Sequence, residues 1–204
     1  ITITKDVSKA LQALSEGKLV AYPTETFYGL GVDATNEDAL RALMEFKTRP
    51  PFKPFPILLP DSKSLEQYVS PISPGVAALI KKYWPGPLTI VLSATGLPLQ
   101  FYNRTGGVGF RVTAHPLASQ LVKTFGRCIT TTSANPGGKR SAQTASEIAA
   151  YFRNTDLCVL DGGSTPGGKA STVIEIHSDD KISLLRDGPI SLREISRTIA
   201  KTKK

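Results

Sequence analysis

Cysteine, histidine and methionine are scarce in this chain of 204 residues, which has two, two and one of them. Cys128 and Cys158 each sit inside an apolar run and read as buried thiols of a reducing compartment. With His115 and His177 far apart from each other and from the cysteines, no metal-ligand spacing can be drawn. No apolar run approaches the roughly 20 residues that span a bilayer, so no membrane segment is expected. Ile1-Thr2-Ile3-Thr4 is not a charged leader followed by an apolar core, and a cytoplasmic location is expected. The chain opens on Ile1 in place of an initiator Met, so its start reads as processed or trimmed.

Several catalytic signatures are also missing. There is no GxSxG elbow, no HExxH and no GxGxxG. Gly163 to Lys169 does spell GxxxxGK, but Ala170 stands where a P-loop needs a magnesium-binding hydroxyl. The β-branched run Ser171 to Ile176 that follows predicts a strand, whereas a P-loop must open a helix. No side-chain nucleophile stands out.

What the chain does have is cation and proline in one place. Lys47-Thr48-Arg49-Pro50-Pro51-Phe52-Lys53-Pro54-Phe55-Pro56 carries three cations among four prolines. Proline fixes φ and biases its predecessor toward extended backbone, so this loop is stiff and holds its charges at set positions. That suits a polyphosphate or a carboxylate. The overall charge of +8 also favours anionic partners, nucleotide or RNA. Part of the excess lies in Arg193, Arg197, Lys201, Lys203 and Lys204, read as a solvated helix face and tail.

Strand-like and helix-like runs alternate. Strands are expected at 19–22, 57–59, 88–92, 108–112, 128–131, 157–160, 172–176 and 182–185. Helices are expected after Asn36, after Ser73-Pro74, over 116–125 with Gly126 as stop, and after capping boxes at Thr144 and Ser191. Seven to nine strands and five or six helices, mixed throughout, predict one α/β domain over 1–204 with a mixed sheet. Polar groups gather at strand ends in Pro23–Gly31, Phe110–Val112, Thr130–Asn135 and Ala170–Thr172. Strand ends beside loops are where mixed α/β sheets build ligand sites. Hydroxyls with an arginine suit an amino-acid carboxylate, and backbone amides near Ser133-Ala134-Asn135 suit a phosphate chain.

Seven motifs in order make the chain resemble the YrdC/TsaC family, the threonylcarbamoyl-AMP synthases. They are PTET-x-YGLG at 23–31, K-x-RP and KP at 47–54, WPGPLT at 84–89, G-x-RV with HP at 109–116, TSAN at 132–135, ST at 171–172 and LLR-x-G at 184–188. The resemblance implies a twisted mixed β-sheet with flanking helices and a deep basic cavity. It implies a nucleotidyltransferase that joins L-threonine, bicarbonate and ATP into threonylcarbamoyl-AMP and pyrophosphate, with Mg2+ accompanying ATP and no protein metal ligands. A downstream tRNA threonylcarbamoyl transferase would be the partner enzyme.

Carried over by position, Thr26, Arg111, Thr131 and Ser171 look like the threonine site, Arg111 taking the carboxylate. Lys47, Arg49, Lys53, Ser133, Asn135, Ser141 and Arg186 look like the ATP site. Thr26 and Thr131 also read as plain strand-end hydroxyls, Asn135 and Ser141 as turn residues, and Tyr28, Trp84 and Pro85 as core and shape. Leu58 replaces a histidine that some relatives place near threonine, and Gly107 stands where others carry a hydroxyl. The short chain implies the single-domain form. The competing readings are a paralogue without synthase activity and a double-stranded RNA or ribosome-assembly binding module.

Overall fold

A computed structural model describes residues 1–47, 55–102, 107–177 and 181–203. The fold is α/β, with mixed sheets flanked by helices. Among the described residues there are eleven strands: β1 (Thr2–Thr4), β2 (Leu19–Tyr22), β3 (Gly29–Gly31), β4 (Ile57–Leu58), β5 (Leu88–Ser93), β6 (Gly107–Arg111), β7 (Ile129–Thr130), β8 (Thr132–Ser133), β9 (Leu157–Leu160), β10 (Thr172–Ile176) and β11 (Ile182–Arg186). Six α-helices accompany them: α1 (Val7–Ser15), α2 (Glu37–Phe46), α3 (Pro74–Tyr83), α4 (Pro116–Phe125), α5 (Ala145–Tyr151) and α6 (Leu192–Ala200). No described helix is long and apolar enough to cross a membrane.

The strands form two hydrogen-bonded sheets, β1-β9-β2-β3-β8 and β11-β10-β5-β6-β4-β7. Each mixes parallel and antiparallel pairs; β2, for instance, runs parallel to β9 and antiparallel to β3. The strand expected at 128–131 is observed at Ile129–Thr130, and a further strand starts at Thr132. Ile129–Thr130 pairs with β4 in the second sheet, while Thr132–Ser133 pairs with β3 in the first. Thr131 is the step between sheets.

Local chemistry explains most helix boundaries. Asn36 accepts from Ala39 N–H at the start of α2, and Ser73 accepts from Val76 N–H ahead of Pro74 in α3. Gly126 ends α4 in the left-handed region at φ 73°. Ser191 and Glu194 complete a reciprocal capping box on α6. At α5, Thr144 caps Glu147 N–H, while the Glu147 carboxylate takes the Gln143 N–H. Helices α1 and α4 pack Leu14, Leu121 and Val122 with Val20 and Tyr22 of β2 and Leu160 of β9. The larger core gathers Leu40, Leu43, Leu79, Ile148 and Ile195 around Ile57, Ile90 and Phe110.

Three strands and one α-helix exceed the sequence expectation: β1, β3, β8 and α1. Asp6 caps α1 through Ser8 N–H, a signal that the residues do carry. Strand β3 is hidden because Gly29-Leu30-Gly31 has low strand propensity. Space explains its glycines. A Cβ on Gly31 would lie 2.2 Å from Thr130 O and 3.1 Å from the Tyr22 ring.

Gly31→Ala should therefore overpack the junction and cost on the order of 1–3 kcal/mol in a denaturant or thermal melt. Gly137→Ala is the control, since nothing lies within 4 Å of a Cβ there; it should shift stability by less than about 0.5 kcal/mol. Equal behaviour of the two variants would refute this account of β3.

Candidate functional site

A cavity of about 620 Å³ opens where the two sheets part. One wall is a face of the second sheet. Side chains two apart on a strand share a face, which puts Ser171, Val173 and Glu175 of the β10 segment in the lining with Thr89 and Val91 of β5. Gly107, Gly109 and Arg111 of β6 continue that face, with Glu175 opposite Val91 and Val91 opposite Gly109. The facing wall comes from Thr24, Thr26 to Gly29, Thr131 to Ser133 and Ser141. Phe55, Pro56 and Leu185 add apolar surface.

Arg111 is the best-buried charge in this lining, at 5% exposure. Its Nε donates to Gly86 O at 3.2 Å, and Nη2 lies 2.7 Å from Glu25 Oε1. That second contact is ionic without hydrogen-bond geometry, so buried Nη2 has no hydrogen-bond acceptor among the described residues. Glu25 Oε2 accepts from Thr113 Oγ1 at 2.6 Å. Burial alone would raise the Glu25 carboxyl, but the Arg111 charge and the Thr113 hydroxyl outweigh it and hold it below its ordinary value. Arg186 forks onto Ser171, donating from Nε to the carbonyl at 2.9 Å and from Nη2 to Oγ at 2.8 Å. Desolvation and then the nearby Arg111 charge lower the Arg186 pKa. Ser171 Oγ also shares a 3.0 Å contact with Thr89 Oγ1.

Thr26 is held from several sides. Its hydroxyl lies 3.2 Å from Thr24 Oγ1, and its carbonyl accepts from Gly167 N–H at 2.7 Å. Tyr28 OH donates to Gly163 O at 2.8 Å and accepts from Gly162 N–H at 3.1 Å. Burial pushes that phenol up to about 12. The glycine-rich loop that mimics a P-loop is thus a strap across 24–28, with Gly163, Gly167 and Gly168 at positive φ. The WPGPLT turn serves Arg111 in the same way, by delivering the Gly86 carbonyl. Trp84 is buried and its indole N–H donates to Leu88 O at 2.7 Å.

The structure brings Thr26, Arg111, Thr131 and Ser171 together in the lining, along with Ser133, Ser141 and Arg186. Lys47 and Asn135 sit beside the lining. Lys47 Nζ donates to Ser133 O at 2.8 Å and to Asn135 O, and Asn135 Nδ2 donates to Pro136 O and Lys139 O. The backbone amides expected to cradle phosphate have internal acceptors, Ala134 N–H on Tyr28 O and Asn135 N–H on Ser133 O. Arg49 and Lys53 lie outside the described residues. Leu58 is core and Gly107 is lining. The sequence does not single out Thr24, Glu25, Thr89 or Glu175, although Thr24 and Glu25 lie in the PTET motif and Thr89 in WPGPLT. Among the described residues no three His, Cys, Asp or Glu side chains cluster to hold a metal.

The family model described as Telomere recombination (Sua5/YciO/YrdC) matches residues 12–188. The chain belongs to the Sua5/YciO/YrdC family. It is 39% identical over 189 residues to the threonylcarbamoyl-AMP synthase of Pyrococcus abyssi, covering 91% of this chain and 55% of that protein. It is 39% identical to the threonylcarbamoyl-AMP synthase of Halorhodospira halophila, covering 82% of this chain and 88% of that protein. The structure of P. abyssi Sua5 complexed with L-threonine superposes with a TM-score of 0.89 at 36% identity, over 97% of this chain and 59% of that one. The chain thus spans little more than half the length of the P. abyssi relatives.

The Glu25–Arg111 pair carries a pH signature. A carboxyl held below its ordinary 4.5 contributes stability that is complete above that value and drains away as pH falls through the lowered one. The melting-temperature gap between wild type and Glu25→Gln should be widest near neutral pH and close on acidification below 4.5. A gap constant across that range would show that the pair does not titrate.

Proposed function

We propose that this chain is an L-threonylcarbamoyladenylate synthase, acting as one YrdC-like unit over 1–204 and in the cytoplasm. The observation that carries the reading is a guanidinium, Arg111, 5% exposed in a cavity whose lining includes Thr26, Thr131 and Ser171. A guanidinium suits a charge-assisted contact to a carboxylate, and hydroxyls suit the polar remainder of an amino acid. Family membership, and the L-threonine complex of the P. abyssi protein, support the same assignment.

On this reading Arg111 takes the threonine carboxylate. ATP lies toward Ser133, Ser141 and Arg186, with Arg49 and Lys53 reaching the triphosphate and Lys47 bracing the Ser133–Asn135 turn. The threonine amine condenses with bicarbonate, releasing water and leaving a carbamate. A carbamate oxygen then bonds to the α-phosphorus of ATP as the bond to pyrophosphate breaks. Carbamate is a weak nucleophile, so holding it in line supplies several kcal/mol of the barrier. Cations on the leaving pyrophosphate supply more. Mg2+ accompanying ATP would supply charge neutralisation at the phosphates beside Arg186. The product would pass to a tRNA threonylcarbamoyl transferase.

Incubation with ATP, L-threonine and bicarbonate should yield threonylcarbamoyl-AMP and pyrophosphate, and omission of either small substrate should abolish both. Equal pyrophosphate release without threonine would sink the assignment. Arg111→Ala should weaken threonine binding about 10- to 150-fold, the equivalent of roughly 1.5–3 kcal/mol for a charged hydrogen bond, and ATP binding far less. Unchanged threonine affinity in a folded variant, measured by calorimetry, would move the carboxylate site elsewhere.

A further inference from the structure

Glu25 has no place in the cavity lining, yet it sits between two residues that do, Thr24 and Thr26. The segment bends here, with Thr24 N–H and Oγ1 both donating to Phe27 O, and the bend leaves Thr24 and Thr26 in the lining while the Glu25 carboxylate lies against Arg111. There it meets Arg111 Nη2 at 2.7 Å, with 17% of its side chain exposed. Its other oxygen is pinned by Thr113 Oγ1 at 2.6 Å, and that hydroxyl in turn accepts His115 N–H at 3.2 Å. Glu25 therefore ties the segment that carries Thr26 to the guanidinium at the end of β6.

Two physical needs converge on this tie. A guanidinium at 5% exposure needs a counter-charge while the cavity holds no anion, because an unpaired buried ion carries a large desolvation cost. The need is sharpened by Arg186, whose charge faces the same cavity and interacts with Arg111. The second need is orientation. The guanidinium is a rigid planar fork, so fixing Nε on Gly86 O and Nη2 on Glu25 fixes the direction of the nitrogen that remains, Nη1.

We propose that Glu25 is a positioning residue for the amino-acid substrate, acting through Arg111 from behind the cavity wall and setting the Thr26 hydroxyl and the guanidinium at a fixed separation. This rests on the proposed function, in which Arg111 receives the substrate carboxylate. Glu25 touches no substrate; it makes the arginine both tolerable and aimed.

The test is calorimetric binding of L-threonine and of ATP to the intact chain, with thermal melts alongside. Glu25→Gln, close to isosteric, should lose at least about tenfold in threonine affinity and keep ATP affinity within about twofold. Thr113→Val, which frees the carboxylate without removing it, should give a smaller loss of the same selectivity. In an Arg111→Ala background, Glu25→Gln should produce no further loss, since its route to the substrate is gone. Threonine affinity unchanged in both Glu25→Gln and Thr113→Val would overturn the proposal. So would equal weakening of threonine and ATP, or an additive loss in the double variant, each of which marks a general structural role. A wild-type chain that binds no threonine would instead overturn the function on which the proposal rests.

Discussion

The molecule depends on a seam at which one strand changes sheets. Ile129 and Thr130 belong to the second sheet, Thr132 and Ser133 to the first, and Thr131 lies between. Thr130 is fully buried there and saturated with partners. Its carbonyl accepts Tyr22 OH at 2.8 Å, its hydroxyl accepts Val32 N–H at 3.0 Å, and its own N–H donates to Val32 O at 2.9 Å. Two sheets that separate must leave backbone groups looking for partners, and buried orphans are costly. Here the tyrosine and threonine side chains supply them. Glycine at 29 and 31 lets β3 come close enough for this to work. The cavity is the consequence: it opens directly beyond the seam, and Thr131 is the first residue of its wall.

Burying an arginine beside that seam is a second constraint that propagates. Arg111 has to sit at the end of β6 with a carbonyl in front and a carboxylate behind. The turn after α3 provides the carbonyl, because Gly86 N–H donates to Val112 O at 2.8 Å and so locks the turn against the arginine's own strand. A Cβ on Gly86 would lie 2.5 Å from Tyr83 O, which explains the glycine. Thr113 and Glu25 provide the carboxylate and its anchor. Two distant stretches, with Thr113 beside the arginine, thus serve one side chain. Motifs that look unrelated in sequence, PTET, WPGPLT and G-x-RV, share it.

Much of this was legible in the residues, and the exceptions have physical causes. Helix starts at Ser73-Pro74, Thr144 and Ser191, and the stop at Gly126, follow from local capping chemistry that tertiary packing did not override. Strand β3 was illegible because its glycines answer to a neighbour's backbone and not to strand propensity. The change of sheet at Thr131 was illegible because it depends on partners 71 to 104 residues away, as the pairings with β4 and β3 attest. Of the site, polar strand ends marked the segments that hold Thr26, Arg111, Thr131 and Ser171, and the family resemblance picked out the four residues. Glu25 was not singled out, since its value lies in which way it points. Lys47 shows the reverse case: a cation in a phosphate-like motif whose ammonium is spent on two carbonyls of the protein's own turn.

The chemistry available inside the cavity is restricted in a telling way. Covalent catalysis needs a nucleophile activated by a base within hydrogen-bond reach. The lining is rich in hydroxyls, but among the described residues none is hydrogen-bonded to a histidine ring; His177 meets Ser183, which is not in the lining. Both thiols lie outside the lining and are buried, and burial pushes Cys128 up to about 11 beside the Tyr68 hydroxyl. A thiol so protonated is a poor nucleophile at neutral pH. What remains is alignment and charge: Arg111 and Arg186 with hydroxyls fixed to within a hydrogen bond of one another. That inventory suits a reaction in which the substrates bring both the nucleophile and the leaving group. Adenylation of a carbamate by ATP is such a reaction, because the attacking oxygen, the phosphorus and the departing pyrophosphate all belong to the ligands. Under the proposed function the protein would hold two anionic substrates close enough to react, with Arg111 countered by Glu25 and Arg186 fixed in direction by Ser171.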